Sequence, residues 1–301
     1  GVLRSAGGVP VQMVLTANPG GAGQHWLRER FGLHPLPGRP VMTTVRINEG
    51  EIQAAIIPSR LRDNPVLLAA DPGYVDRLRL VGSAALVRAW MDGDWTAIEG
   101  AFFDCWDSRR HVVEPFPVPA DWHRFRSMDW GSAAPFSVGW WAVVPDRFVT
   151  PDGHTLPRGC LVRYREWYGK GDKLTAEEVA DGIKERSDAV MQGVLDPSAF
   201  AEDGGPSIAE RMASRGIHWR PADNKRVAKA GAIGGWDQVR SRLKGTEEGP
   251  MMVFFSTCRD SIRTIPVLQH DPDRPEDLDT DAEDHAADDV RYAAMSRPWT
   301  P

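Results

Sequence analysis

Ser127-Met128-Asp129-Trp130-Gly131 is the stretch whose reading decides the fold. With Phe125 before it, the segment reads as a buried strand that ends on an acid and a glycine turn. Two later acids answer it. Asp196 stands in Gly193-Val194-Leu195-Asp196-Pro197-Ser198, at the end of another apolar run. Asp288 stands in Asp284-His285-Ala286-Ala287-Asp288-Asp289-Val290-Arg291-Tyr292, which reads as a helix. The carboxyl ends of buried strands are where open α/β sheets place their ligands. Three carboxylates on separate elements are what metal-assisted phosphodiester hydrolysis requires. Each acid also has an ordinary reading: Asp129 as a turn cap, Asp196 as an Asp-Pro turn opener, Asp288 as a solvated helix residue.

Outward from the first stretch, the chain alternates in type. Phe136 to Val144 is a continuous apolar strand, and a hairpin loop at Pro151-Asp152-Gly153 leads to a third strand, Gly159 to Trp167. Thr175-Ala176-Glu177-Glu178 opens a helix with a capping box, running to about Ser187. Val190 to Leu195 is the fourth strand. Ser207 to Arg215 is a helix, Ile217 to Arg220 a short strand, and Ala228 to Lys244 contains a helix. Met251 to Phe255 is a strand, and a last helix follows Thr280, paired with Glu283 as a second capping box, and stops before Pro298. This order predicts an α/β fold, a mixed sheet flanked by helices. Before it, Val9 to Leu15 and Val41 to Ile47 read as strands, and Gln24 to Phe31, Pro72 to Leu80 and Ser83 to Met91 as helices. The proline-spaced run Glu114 to Pro119 reads as a linker. The expected division is therefore 1–115, a linker at 116–121, and 122–301.

The 301 residues carry a net charge of -6, but the charge is segregated. Asp271 to Asp289 holds ten acids and one arginine, so the rest of the chain is positive by three. Asn224 to Lys244 holds six Lys/Arg against Asp237. A metal site uses the acid and a phosphate track uses the base. Lys225, Arg226, Lys229, Arg240 and Arg242 are the candidate phosphate contacts, positioning a duplex without reading bases; a basic solvated helix face is the alternative. No apolar run approaches a membrane span, and the N-terminus has no signal-peptide core. Cys105, Cys160 and Cys258 match no metal or redox spacing and suit a reducing compartment. Of the 12 tryptophans, stacking on bases is conceivable for some, while Trp140 and Trp141 read as core.

In the final helix Asp284, Asp288 and Tyr292 fall at i, i+4 and i+8 and form one stripe, flanked by His285; Ala286, Val290, Ala293 and Ala294 form the opposite, apolar stripe. Asp289 lies outside the acidic stripe, which favours Asp288 as the ligand. Carboxylates this dense raise one another's pKa unless a cation intervenes. Oxygen ligands suit Mg²⁺ or Mn²⁺ over Zn²⁺.

The order strand Asp, strand Asp, late helix Asp resembles the RNase H-like nuclease domain of tailed-phage large terminases. That family carries an aspartate on the first strand, an acid on a middle strand and an aspartate in a late helix, matched here by Asp129, Asp196 and Asp288. Its late motif, His-x-x-Asp-x-x-Arg-Tyr-Ala, is matched by His285, Asp288, Arg291, Tyr292 and Ala293. The resemblance implies an RNase H-like nuclease over 122–301 that cleaves double-stranded DNA. It further implies two Mg²⁺ or Mn²⁺ ions on the three aspartates, ~3.5–4 Å apart, one activating water and one stabilising the leaving oxygen. His285 and Asp284 are secondary metal candidates; Glu166 is a weaker one, outside the ligand set or structural. The implied partners are a small terminase subunit, the portal ring and DNA, with the chain monomeric in isolation, ring-forming on the portal, and located in the host cytoplasm.

Residues 1–115 resemble the last section of the terminase packaging ATPase, a partial α/β segment. Thr16-Ala17-Asn18 resembles its coupling motif; Asn18-Pro19-Gly20-Gly21 with His25-Trp26, Asp63-Asn64-Pro65, Asp71-Pro72-Gly73-Tyr74 and Gly93-Asp94-Trp95 follow in the family's order. No G-x-x-x-x-G-K-[ST] loop occurs, and no apolar strand ending in paired acids precedes Thr16. The expectation is a C-terminal fragment, or the product of a split or truncated gene, without ATPase activity. Two other readings stand beside the terminase: a different RNase H-like nuclease such as a resolvase, and a non-catalytic DNA or portal docking module of a packaging motor.

Overall fold

The structure is a computed structural model, and it describes residues 13–19, 24–33, 39–47, 50–81, 84–95, 101–132, 134–170, 173–187, 192–202, 204–228, 234–271, 273–280 and 282–300. It divides into two compact units, Gly1–Glu99 and Gly100–Pro301.

The first unit contains α1 (Gln24–Phe31), β1 (Val41–Ile47), β2 (Gly50–Ile56), α2 (Pro65–Ala70), α3 (Tyr74–Val81) and α4 (Ala84–Asp92). β1 and β2 form an antiparallel hairpin, with Val41 opposite Ile56 and Ile47 opposite Gly50. Helix α2 starts where Asn64 accepts a bond from the Leu67 N–H (3.1 Å) and Pro65 supplies a preset φ. The expected first strand is not formed where it is described: Met13, Val14 and Leu15 are exposed and outside any strand, and no strand among the described residues pairs with them. Residues 9–12 lie outside the described residues.

The second unit holds α5 (Ser108–His111), β3 (Val112–Val113), β4 (His123–Asp129), β5 (Phe136–Val143), β6 (Phe148–Val149), β7 (Thr155–Leu156), β8 (Leu161–Gly169), α6 (Ala176–Arg186), β9 (Gly193–Leu195), α7 (Ile208–Ser214), β10 (Arg220–Pro221), α8 (Gly235–Lys244), β11 (Met252–Phe255), α9 (Arg259–Thr264) and α10 (His285–Ser296). Seven strands make one mixed sheet in the order β10-β9-β4-β5-β8-β11-β3. Only β5 runs against the others, pairing antiparallel with β4 and β8; the remaining pairs are parallel. The carboxyl ends of β4, β8, β9 and β11 therefore share one edge. The strands are apolar on both faces because helices and loops cover both: Met128, Val138, Trp140, Trp141, Leu161, Val162 and Phe254 are all fully buried. Trp140 and Trp141 thus belong to the core, as expected.

The unit begins before the expected linker. Phe102, Phe103, Trp106, Val113 and Phe116 all join its core, and β3 adds an edge strand to the sheet. Proline spacing suggested a spacer, but Phe116 and Val118 between the prolines anchor the run to the core. Helix α6 carries the expected capping box, Thr175 with Glu178. The second one does not form: α10 starts at His285 with Asp284 as its N-cap residue, and Glu283 instead makes two bonds of 2.6 Å to Arg263. Among the described residues no helix is long and apolar enough to cross a membrane.

Candidate active site

Asp129 is the last residue of β4 and is only 6% exposed. The chain turns sharply after it. A Cβ on Gly131 would lie 2.1 Å from the Pro135 carbonyl oxygen, so this turn admits no side chain. Asp196 follows β9, and its backbone N–H donates to the Met128 carbonyl at 3.1 Å, which sets it beside the end of β4. Its Oδ1 accepts from the Ser198 N–H and its Oδ2 from the Ser198 hydroxyl, both at 2.9 Å, capping a 3-10 turn over Pro197–Phe200. The ordinary turn role and the site position coexist in this residue.

Helix α10 crosses the sheet over β4, β5 and β9 and brings the remaining acids. His285 donates from Nδ1 to Asp129 Oδ2 at 3.0 Å; a carboxylate has only acceptors, so Nδ1 carries the proton. Asp288 sits one turn on, and Arg291 donates to its Oδ1 from Nε (2.9 Å) and Nη2 (2.8 Å). Among the described residues no donor reaches Asp288 Oδ2 or Asp129 Oδ1. Asp284 is 8% exposed, with Arg226 Nη2 3.9 Å from its Oδ2.

The electrostatics bind these groups together. Burial pushes Asp129 up to about 7; the His285 hydrogen bond opposes this, while the charges of Asp288 and Asp196 add to it. Burial and the Asp288 charge push Asp284 up to about 6. His285 is raised by its bond to Asp129 and then by the surrounding carboxylates. The Tyr292 hydroxyl is raised by burial and by Asp288, Asp129 and Asp196, so it feels all three acids. Negative charge is in excess here, and the donors are oxygen with one imidazole, a set that suits a hard divalent cation. The carboxylates are gathered but not turned onto one point. Among the described residues no three His, Cys, Asp or Glu form a ready metal-binding group; Asp196 bonds Ser198, and Asp288 bonds Arg291 through Oδ1.

The expected basic track is mostly structural. Arg242 is 3% exposed and spends its guanidinium on the carbonyls of Gly159 and Met251 (both 3.2 Å) and of Arg297. It is not a phosphate contact. Arg240 donates twice to the Phe102 carbonyl (3.2 and 3.1 Å) and stacks on the Phe102 ring at 4.0 Å. Arg226 bonds Asp277 at 3.0 Å and stacks on Trp236 at 5.2 Å. Lys225 alone of those described is well exposed, at 63% of its side chain, 3.6 Å from Asp223. Lys229 lies outside the described residues. Charge counting could not see that α8 turns Arg240 and Arg242 inward while Lys244 stays exposed. Thr16, Ala17 and Asn18 lie outside any helix or strand, and all three are exposed. Cys160 and Cys258 are buried with thiols pushed up by burial, so both are inert.

Sequence reasoning missed a second acid with a definite place. Asp289 faces away from Asp288, into the sheet, and is fully buried against Ser127, Ser137 and Arg163. Glu166 is structural: it accepts from the N–H groups of Asp260 (2.8 Å) and Ser261 (2.9 Å) at the start of α9. Polar residues inside otherwise apolar strands, Ser127, Ser137 and Arg163, were the available sign.

A mixed sheet with one reversed strand, acids at the carboxyl ends of β4 and β9, and a crossing acidic helix define an RNase H-like α/β fold. The sequence matches no protein-family model and no curated protein. Among solved structures, the large terminase of a thermophilic bacteriophage aligns with 80% of this chain and 54% of its own, at 20% identity and a TM-score of 0.51. A second crystal form of the same terminase aligns with 94% and 62%, at 19% identity and a TM-score of 0.51. The P22 large terminase nuclease domain is a looser match, covering 66% of this chain and 92% of its own at 16% identity and a TM-score of 0.49. The chain thus has the fold of a tailed-phage terminase large subunit and spans 54 to 62% of the thermophilic-phage chains it matches.

Proposed function

We propose that the second unit is the nuclease of a terminase large subunit, cutting double-stranded DNA during genome packaging with Mg²⁺ or Mn²⁺. The observation that supports it most is the gathering of Asp129, Asp196 and Asp288 at one sheet edge, with the charge of two of them felt by the third. Asp129, Asp196 and Asp288 would hold the ions, with His285 and Asp284 beside them. When bound, the cations supply Lewis-acid activation of water and neutralise charge on the phosphodiester. His285 orients the Asp129 carboxyl and fixes which oxygen it presents. Arg291 holds Asp288 by Oδ1 and leaves Oδ2 open. Lys225 contributes a phosphate contact, which positions the duplex without reading its sequence. The first unit is proposed to be the end of a packaging ATPase, with Thr16-Ala17-Asn18 as its coupling segment and no ATP hydrolysis of its own. A small terminase subunit, the portal ring and DNA are its proposed partners, in the host cytoplasm.

A second reading, a non-catalytic docking module, draws support from Asp196 and Asp288 being engaged by Ser198 and Arg291. Plasmid cleavage with Mn²⁺ or Mg²⁺ separates the two. The nuclease reading expects cleavage that chelator, Asp129→Ala and Asp288→Ala each abolish. Cleavage that survives both substitutions puts the chemistry elsewhere, and a parent chain inert under both metals leaves the docking role.

A further inference from the structure

The tandem aspartates of α10 point to opposite sides. Asp288 faces the acidic cluster. Asp289 accepts from the Ser127 hydroxyl with Oδ1, and from the Ser137 hydroxyl (2.8 Å) and Arg163 Nη2 (2.7 Å) with Oδ2. Its partners come from β4, β5 and β8. Each partner is itself held: Trp141 Nε1 donates to the Ser127 hydroxyl at 2.7 Å, and Arg163 Nη2 donates to the Ser137 hydroxyl at 3.1 Å. Arg163 also lies 3.5 Å from Glu166, which continues the network to α9. Space for it comes from Gly139, opposite Ser127 on β5: a Cβ there would lie 2.6 Å from Trp141 Nε1 and 2.7 Å from Arg163 Nη1.

A buried ion pair is weak support for stability, since apolar packing of the same volume serves as well. Directional bonds do something apolar packing does not: they select one register. Here the register matters. Ser127 is two residues before Asp129 on the same face of β4, and Asp289 is next to Asp288 on α10. Seating Asp289 on Ser127 therefore sets His285 and Asp288 opposite Asp129.

We propose that Asp289, through Ser127, Ser137 and Arg163, is a positioning residue that fixes α10 in register with β4 and so assembles the acidic site. The effect on cleavage rests on the nuclease reading; the effect on register does not.

The test is Asp289→Asn, which keeps the shape and removes the charge. Four quantities are read: the Nδ1–H resonance of His285 in ¹⁵N-histidine-labelled protein, the Mn²⁺ titration midpoint, and kcat and KM for plasmid. We expect the His285 resonance to shift or vanish and the Mn²⁺ midpoint to rise about 10-fold. The kcat should fall at least about 10-fold with KM within about twofold, the range seen for groups that orient ligands. An unchanged resonance, midpoint and kcat with only a lower Tm makes Asp289 a stabiliser and overturns the proposal. Should Asp289→Asn not fold, Ser127→Ala decides by the same readouts, since it removes the bonds to Asp289 and from Trp141 and leaves the ion pair. A parent chain that neither binds Mn²⁺ nor cleaves sinks the nuclease reading, while the His285 resonance still decides the positioning role.

Discussion

Gly139→Ala adds one methyl group at the tightest point of the network behind the acidic site. The new Cβ would lie 2.6 Å from Trp141 Nε1, 2.7 Å from Arg163 Nη1 and 3.0 Å from Arg163 Cζ, where 3.4–4 Å is ordinary contact. Neither neighbour can yield freely. Trp141 is bonded to Ser127 and Arg163 to Asp289, and all four side chains are buried. A retreat of about 0.8 Å taken along the Arg163–Asp289 line lengthens the pair from 2.7 Å to about 3.5 Å. With an effective dielectric near 20, the attraction drops from about 6 to about 4.7 kcal/mol, a loss of about 1.4 kcal/mol. Overpacking adds roughly 1–3 kcal/mol, so the expected cost is about 2–4 kcal/mol. Urea unfolding of the parent and variant, followed by tryptophan fluorescence, measures it. The same methyl placed in an Arg163→Met background should cost much less, because a thioether chain bends where a bonded guanidinium does not; the coupling should exceed about 1 kcal/mol. A cost for Gly139→Ala within about 0.5 kcal/mol, or the same cost in both backgrounds, would refute a rigid network at this point.

Other expectations follow from named side chains. His111 is fully buried, accepts the Asp107 N–H at Nδ1 (2.9 Å) and donates from Nε2 to the Leu243 carbonyl (2.8 Å), and burial holds its pKa down to about 4. Its folded pKa lies below the unfolded value, so stability is full above about 6.5 and is lost as pH falls toward 4, by about 2 kcal/mol between pH 7 and 5; His111→Gln should flatten that part of the urea-unfolding profile. Arg242→Ala should lower Tm and leave DNA affinity at matched salt unchanged, because its guanidinium serves three carbonyls inside the unit. Lys225→Ala should do the reverse, reducing the salt slope of DNA binding by about one ion without a change in Tm. Asp288→Asn keeps an oxygen for Arg291, so the nuclease reading expects lost cleavage with stability within about 1 kcal/mol of the parent, by plasmid assay and urea titration.

The sheet was legible where its strands are largely apolar runs that end in turn residues, as in β5 and β11. Phe136 to Val144 and Met251 to Phe255 needed no partner information to be read. β2 was not legible, since Gly50–Ile56 carries glutamate and glutamine among its apolar residues and is recognised by pairing with β1. Helix α9, Arg259–Thr264, has three charged residues in six and no apolar period; its start is held by Glu166, far away in sequence. The Thr280–Glu283 pattern met the rule for a capping box and lost to a stronger partner, Arg263. Of the candidate site, the places of Asp129 and Asp196 at strand ends and of Asp288 on the last helix were legible. The inward turn of Arg240 and Arg242 was not, because a charge count carries no information on burial. Nor could spacing reveal what Asp289 does: it lay outside the acidic stripe, and only the fold puts Ser127, Ser137 and Arg163 around it.

The division of labour between Asp288 and Asp289 explains how so much negative charge is held at one place. Each acid near the sheet edge has a different answer to burial. Asp289 meets Arg163 and two hydroxyls, and the pair is sealed in the sheet. Complete burial pushes its carboxyl up to about 6, and Arg163, Ser127 and Ser137 all pull against that rise. Asp288 meets Arg291 on one oxygen only. Asp129 and Asp284 are less deeply buried yet rise as far, to about 7 and about 6, because their compensation is weaker: a histidine at 3.0 Å and an arginine at 3.9 Å. The acid with most partners lies deepest, and the undercompensated ones line the edge where the carboxyl ends of β4 and β9 meet. A site meant only to hold the helix down would be stabilised by replacing Asp129 and Asp284 with apolar groups, since charge buried without a partner is costly. Placing that deficit at the edge, and anchoring α10 with a pair kept separate from it, leaves attraction for a cation without loosening the helix that carries the proposed ligands.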